Sequence, residues 1–461
     1  MEQTQDYELN RDFKMGSIFL YALPTMITYL FNGFYSTVDG AFIEKFQGPY
    51  AIAAVNLYYP ILNLVLAIGS MIGTGGGVAL AALLGEKKEK EANRLFSQLV
   101  MIGLVIGLVI AILGNVFSDG ILRLLGATAG NVEYAAKYYR IMVTTSPILL
   151  FAALLVPFFL AEGKTTSIAV TSILGGVMNI VLDYLFMGPL KLGISGAAAA
   201  TMIGYSLPCL YGLYFYMPGN KNGSHFRFAF VRIELKKVAL ALCNGSSEMV
   251  SNLASGVTAL VMNHLAYRFY NEAGVSVVSV FLYVQFMVMA VFLGLTAATE
   301  PLMSYNYGEK NFARGKKIFN LSLAWTLLLS ALACILLALL YKPVVAIFFS
   351  PMGETLAFYE LGCRSLLFAV PACLLMGFNI FISGFFTAYL NGAVSAFLSV
   401  LRTLVFLVLC MFALAYVMGG DGLWLSWAAA EFLSLFASIF FLQKYKKRYL
   451  DGKRASGDGS F

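Results

Sequence analysis

Charge is scarce in this 461-residue chain: Asp, Glu, Lys and Arg together make up 12% of it. Soluble domains run near ~25%, so there is too little charge to coat a water-soluble body of this size. Histidine is scarcer still, with His225 and His264 far apart. The six cysteines (Cys209, Cys243, Cys334, Cys363, Cys373, Cys410) lie mostly in or beside apolar runs and contain no C-x-x-C. A zinc or haem site is therefore not expected, no organic cofactor is indicated, and the thiols read as packing groups. There is no G-x-S-x-G, H-E-x-x-H or Walker A pattern, so no catalytic constellation points to an enzyme. The densest glycine cluster, Gly73-Thr74-Gly75-Gly76-Gly77, sits inside an apolar run and reads as a close-packing segment. Residues 1–14 are polar and mixed in charge, and the apolar run after them is long enough to span a bilayer. No cleavable signal peptide is expected.

Apolar residues are abundant, at 60%, and they come in long blocks. A helix needs roughly 20 apolar residues to cross a ~30 Å hydrocarbon core, and such blocks recur about twelve times. In lipid every backbone N–H and C=O must be paired within the chain, which leaves helices or closed barrels. Barrel strands alternate in ~10-residue segments, whereas these runs are longer and apolar all round. The predicted fold is all-α and integral to the membrane, with spans at 17–41, 51–83, 95–119, 134–160, 165–188, 193–217, 238–270, 275–305, 317–349, 358–388, 393–418 and 422–443.

The formal charge of +7 is explained by where the basic residues fall. With the N-terminus cytoplasmic, inner segments hold 22 of the 31 lysines and arginines and outer segments eight, Arg402 lying within a span. By the positive-inside rule both termini are cytoplasmic, and the helix count is even. The hydrophilic stretch 218–237 divides the chain into an N-terminal six-helix lobe (1–217) and a C-terminal one (238–443), with a cytoplasmic tail at 444–461. A weak repeat flanks it: Gly85-Glu86-Lys87 matches Gly308-Glu309-Lys310, and Pro147 matches Pro371. Halves that both start from the same side are parallel repeats about the membrane normal, a layout suited to rocking around a central site.

Ionisable residues inside spans are costly and mark function by default. Counting 1.5 Å per residue, Asp39 lies roughly 9 Å, Asp183 about 8 Å and Thr201 about 12 Å beneath the outer surface. Asn179 is one turn from Asp183 on the same face, and Gly175 and Gly176 would let another helix approach closely. Two carboxylates, an amide and a hydroxyl so arrive at similar depth from three helices. Oxygen ligands suit a hard cation such as Na⁺, and neighbouring carboxylates can also carry a proton. Tyr35, one turn before Asp39, is the aromatic expected to line the outer cavity, where its ring can meet an organic cation. In the second half, Glu248, Arg402 and Glu431 fall roughly 13–15 Å from an interface. They read two ways, as a structural ion-pair cluster or as a second site whose net negative charge receives a cation. Glu300 is expected to snorkel near the inner end of span 8, Glu162 and Lys164 to form a short inner loop, and His264 to be packed or interfacial.

Several segments resemble the multidrug and toxic compound extrusion (MATE) family, over nearly the whole chain. They are STVDGAFIEKF (36–46) followed by AIAAVNLYYPI (51–61), the Gly85-Glu86-Lys87 turn, NIVLDYLFM (179–187) with LGISGAAAAT (192–201), EPLMSYNYGEKN (300–311), and Leu401-Arg402-Thr403 with GLWLSWAAAE (422–431). The resemblance implies a V-shaped bundle, alternating access, and export driven by sodium or proton influx, with a cation site formed by the positions of Asp39, Asn179, Asp183 and Thr201. Glu44 and Lys45, where the family usually has a small uncharged turn, and Thr403, where it usually has glutamine, depart from the pattern.

The expected activity is antiport: export of small organic, mostly cationic molecules across the plasma membrane in exchange for Na⁺ or H⁺, by a monomer. A lipid-linked oligosaccharide flippase of the same superfamily is the nearest alternative, but it should line its cavity with several basic residues to hold pyrophosphate. A membrane-embedded enzyme or a channel would need a nucleophile–base pair or a continuous polar pore, and neither is visible. Nucleic acid is not an expected partner.

Overall fold

The computed structural model describes residues 8–127, 132–220 and 223–452. Lys221 of the linker, and Lys453 and Arg454 of the tail, lie outside the described residues. Among the described residues there is no β-strand. The helices are α1 (Met15–Gln47), α2 (Pro49–Gly85), α3 (Glu89–Val116), α4 (Ser118–Leu124), α5 (Val132–Thr144), α6 (Ser146–Ala161), α7 (Thr165–Met187) and α8 (Ile194–Phe215). After the linker come α9 (Leu235–Asn244), α10 (Ser246–Gly308), α11 (Phe312–Phe348), α12 (Leu356–Ala388), α13 (Gly392–Val400), α14 (Leu407–Met418) and α15 (Gly420–Leu450). A π-helical turn, Leu401–Phe406, joins α13 to α14.

Nine helical stretches among the described residues are long and apolar enough to cross a membrane, and the α5–α6 pair, bent by 52°, makes ten. α10 contains two spans, because Asn271 breaks its helical geometry at φ 52°, a conformation asparagine tolerates better than most residues. α8, with 22 residues, is long enough at ~1.5 Å per residue, although its serine, glycine, tyrosine and proline content lowers its hydropathy. The architecture is an all-α membrane bundle of twelve spans. The bend in span 4 was not expected from the sequence. It follows from Pro147 at the start of α6, where the missing N–H and fixed φ favour a new helix start. Pro371 lies within an unbroken α12, so the two matched prolines act differently.

α3 shows how an inside-out helix works. Gly103, Gly107, Ala111 and Gly114 are buried while Leu104, Val105, Leu108, Ile112 and Leu113 are exposed. Lipid is as apolar as leucine, so small residues mark the packed face. Gly107 meets the backbone of Pro147, and Gly103 meets Leu150 and Leu154. The Gly73–Gly77 cluster behaves as expected: Gly73 and Gly77 pack on α6, Gly76 on Leu99 of α3, and Gly75 on the α9 backbone at Ala241.

α2 of the first half and α10 of the second pack together extensively. Their backbones come into close contact at the end of the bundle that carries both termini, at Gly85 and Gly308. There Ser304 Oγ donates to the Val78 carbonyl at 2.8 Å. The chain ends sit at this same face: Lys317 holds Asp12 at 2.6 Å and Lys316 holds Asp451 at 2.7 Å. At the opposite end Tyr59 and Leu64 of α2 are exposed. The halves are thus joined at the terminal face.

Candidate cation site

Three helices converge on the first-half acids. α7 approaches α1 at Gly176, whose missing side chain leaves room for the rings of Phe31 and Tyr35. It approaches α8 at Gly175, which meets the Gly204 carbonyl, while Gly204 in turn faces Asn179. These glycines let α1, α7 and α8 approach closely where their polar side chains lie. Asp39 and Asp183 face each other as an electrostatically interacting carboxyl pair. Asp183 is fully buried and Asn179 nearly so. Asn179 Nδ2 donates to Thr201 Oγ1 at 3.4 Å, and Thr201 Oγ1 donates back to the Ala197 carbonyl at 3.0 Å. Of the four residues expected at the site, Asp39 pairs with Asp183 and Asn179 with Thr201, and Asn179 and Asp183 lie one turn apart on the same face of α7.

Hydrogen-bond accounting distinguishes this group from ordinary packing. Asp39 Oδ1, Asn179 Oδ1 and both carboxylate oxygens of Asp183 are buried without a donor among the described residues. Buried acceptors are nearly always paired, and an unpaired charge in low dielectric is expensive. Two facing carboxyls share a proton or bind a cation between them. The donor set fits Na⁺: two carboxyl groups, an amide oxygen and a hydroxyl. Among the described residues no group of three or more His, Cys, Asp or Glu could hold a metal ion.

Tyr35 stands beside the acids as expected, and its hydroxyl donates to Tyr205 Oη at 2.9 Å. Tyr205 was not singled out from the sequence. Its signal was there: it lies four residues after Thr201 in α8, on the same helix face. Tyr138 of α5 also lies within electrostatic reach of both aspartates.

The second-half residues divide. Arg402 Nη1 meets Glu431 Oε1 at 3.2 Å, with Glu431 only 2% exposed. Asn379 Nδ2 donates to the carbonyl and to Oε2 of Glu431 at 2.9 and 2.7 Å, and Ser438 donates to Asn379 Oδ1 at 2.9 Å. Glu431 is thus satisfied by structural partners. Glu248 is an electrostatic neighbour of Arg402 rather than a bonded one. Glu300 corrects the sequence reading: instead of snorkelling it is 5% exposed. Its carboxylate packs against Gly384 of α12, with Glu248 as its charged neighbour. Both also lie near Tyr29 of α1. α10 runs on to Gly308, and α12 covers the place where water was expected. Glu162 and Lys164 do form the turn after α6, and His264 is exposed.

The family described as MatE matches the chain twice, over residues 24–185 and again over 249–412. The chain belongs to the MATE family. Among curated proteins, it is 26% identical to the multidrug export protein MepA of Staphylococcus haemolyticus, over 95% of this chain and 96% of that one. It is 24% identical to MepA of Staphylococcus aureus (strain MRSA252), over 97% and 98%. Among solved structures, an outward-facing multidrug resistance MATE transporter of the MOP superfamily superposes with a TM-score of 0.89. That match has 20% identity and covers 98% of this chain and 100% of the other. A MATE protein in its straight conformation gives 0.88 at 22% identity, over 97% and 100%. At such identities these structures speak for the fold. The two family matches flank the linker, one in each half, in line with the Gly-Glu-Lys repeat.

Proposed function

We propose that this MATE protein is a secondary active antiporter that exports small organic, mostly cationic, drug-like molecules in exchange for inward Na⁺ or H⁺. The observation that carries this reading is the facing pair Asp39–Asp183, in which Asp39 Oδ1 and both Asp183 oxygens are buried without a donor among the described residues. The names of the Staphylococcus relatives support the substrate class. In the working cycle the chamber opens outward, and the acid pair takes up Na⁺ or H⁺. Neutralised, it holds an organic cation less tightly, and the drug leaves. When the protein opens at the terminal face the ion departs, and the carboxylates, with Tyr35 beside them, receive the next drug molecule. Ion and drug need only bind the two conformations with different affinity for this exchange to turn.

Residues 1–217 and 238–443 serve as the rocking lobes, joined by 218–237. The protein works as a monomer in the plasma membrane, with both termini and the 444–461 tail in the cytoplasm. Glu248 and Glu300 add two neighbouring carboxyl groups in the second lobe, near Tyr29, with Arg402 within electrostatic reach of Glu248. This acidic lining disfavours the flippase alternative, which needs basic residues for pyrophosphate.

Proteoliposomes loaded with a fluorescent lipophilic cation test the reading. Imposed Na⁺ or H⁺ gradients should drive its transport, and Asp39→Asn or Asp183→Asn should reduce that at least tenfold. Undiminished gradient-driven transport in both variants overturns the site.

A further inference from the structure

The linker between the halves has no helix or strand over residues 223–234, yet it is fastened along its length to the first half. Phe226 is fully buried and stacks on Phe96 at 5.2 Å. Asn93 Oδ1 accepts from Arg227 N at 2.6 Å, Ser97 Oγ accepts from Ala229 N at 3.2 Å, and Gln98 Nε2 donates to the Arg232 carbonyl at 2.7 Å. The linker then leads into α9, which is wedged between the halves. Ala241 of α9 meets Gly75 of α2, and Cys243 and Asn244 meet Gly392 of α13. Whatever holds the linker limits how far this wedge can move.

Its first fastening is a single buried carboxylate. Glu162, 5% exposed at the end of α6, accepts from Ser224 Oγ at 2.8 Å, His225 N at 2.6 Å and Phe226 N at 3.3 Å. We propose that Glu162 is a pH-responsive catch that seats the inter-lobe linker against the first half at the terminal face, holding it when protonated and loosening it when ionised. The groups facing it are Lys164 in its own turn, His225 and Arg227 on the linker, Tyr216 at the end of α8, Glu89 of α3 beyond His225 at 3.8 Å, and Glu8, which packs on Gly163.

The sign follows from linkage. Burial raises the Glu162 pKa from 4.5 to about 7, against the lowering effects of Ser224, the two backbone N–H groups and Lys164. Freed from the linker, the carboxyl regains water and returns toward its ordinary value. Between those two values the seated form binds the proton more tightly than the released form. Acidification of this face therefore favours seating, and the preference fades as pH rises and the released form ionises. Burial lowers the pKa of His225, so protonation of His225 would favour release and works in the opposite sense.

Hydrogen exchange read by mass spectrometry on the full-length protein in nanodiscs tests the catch. After correction for the intrinsic pH dependence of exchange, protection over 224–229 should fall about threefold or more between pH 6 and pH 8. Glu162→Gln, permanently neutral, should keep its protection at both. His225→Asn should retain the wild-type response. Lys164→Met removes a charge that lowers the Glu162 pKa, so it should move the midpoint upward without touching the seat. Protection independent of pH in the wild-type protein overturns the proposal without recourse to any variant. An unaltered pH response in Glu162→Gln overturns it too.

Discussion

Gly85 and Gly308 face each other across the seam between the halves, each packing its bare Cα on the other's helix: Gly85 against Tyr305 and Glu309, Gly308 against Ala82. They are the glycines of the two matched Gly-Glu-Lys turns, so the internal repeat is also a contact. At each, a Cβ would collide with backbone, which has no rotamer with which to yield. Glycine is required here for the approach of two helices rather than for a turn.

Gly85→Val or Gly308→Val should therefore push α2 and α10 apart at the terminal face and weaken the form in which that face is closed. Overpacking of this kind costs about 1–3 kcal/mol. Spin labels on the terminal ends of α2 and α10 should show a longer and broader distance distribution in either variant. A distribution that matches wild type would show that this contact does not hold the face closed.

Glu431 makes a different prediction. It is the only bonded counter-ion of the partly buried Arg402 among the described residues, and it receives two hydrogen bonds from Asn379. Removing one partner of a buried pair leaves a stranded charge, at about 3–5 kcal/mol. Glu431→Gln should lower the thermal midpoint in detergent substantially, and Arg402→Met in the same chain should restore most of the loss. If Glu431→Gln costs no stability, Arg402 has another effective partner, and Glu248 is the candidate by position.

Much of the site was legible in the sequence because helical counting is robust where spans are straight. Asp39, Asp183 and Thr201 were each counted from a span end; Asp39 pairs with Asp183, and Thr201 with Asn179 on the same helix as Asp183. Asn179 followed from the i, i+4 rule. Counting failed for Glu300, since proximity to a span end implies water only if no other helix covers it, and α12 supplies Gly384 to do so. Which second-half acid Arg402 prefers is a tertiary fact too: Glu248 and Glu431 were counted to similar depths, and only packing separates the bonded partner from the neighbour. The π-helical turn that carries Arg402 has no clear residue signature; Thr403, bonded back to the Ser399 carbonyl at 2.7 Å, is the nearest local cause.

The same chamber can be made to say which ion it uses. A proton needs only the Asp39–Asp183 pair. Na⁺ needs more oxygens, and the neutral ones on hand are Asn179 Oδ1, buried without a donor, and Thr201 Oγ1. Thr201→Val keeps shape and removes the hydroxyl, while Asn179→Leu removes the amide. Under sodium coupling, each should raise the Na⁺ concentration for half-maximal drug transport about tenfold, the equivalent of roughly 1.4 kcal/mol, and leave the pH profile unmoved. Under proton coupling, the apparent Na⁺ requirement should be absent in wild type and both variants alike. Transport in proteoliposomes at fixed pH with varied Na⁺, then at fixed Na⁺ with varied pH, separates the two. Loss of drug binding itself in Thr201→Val would instead assign that hydroxyl to the substrate.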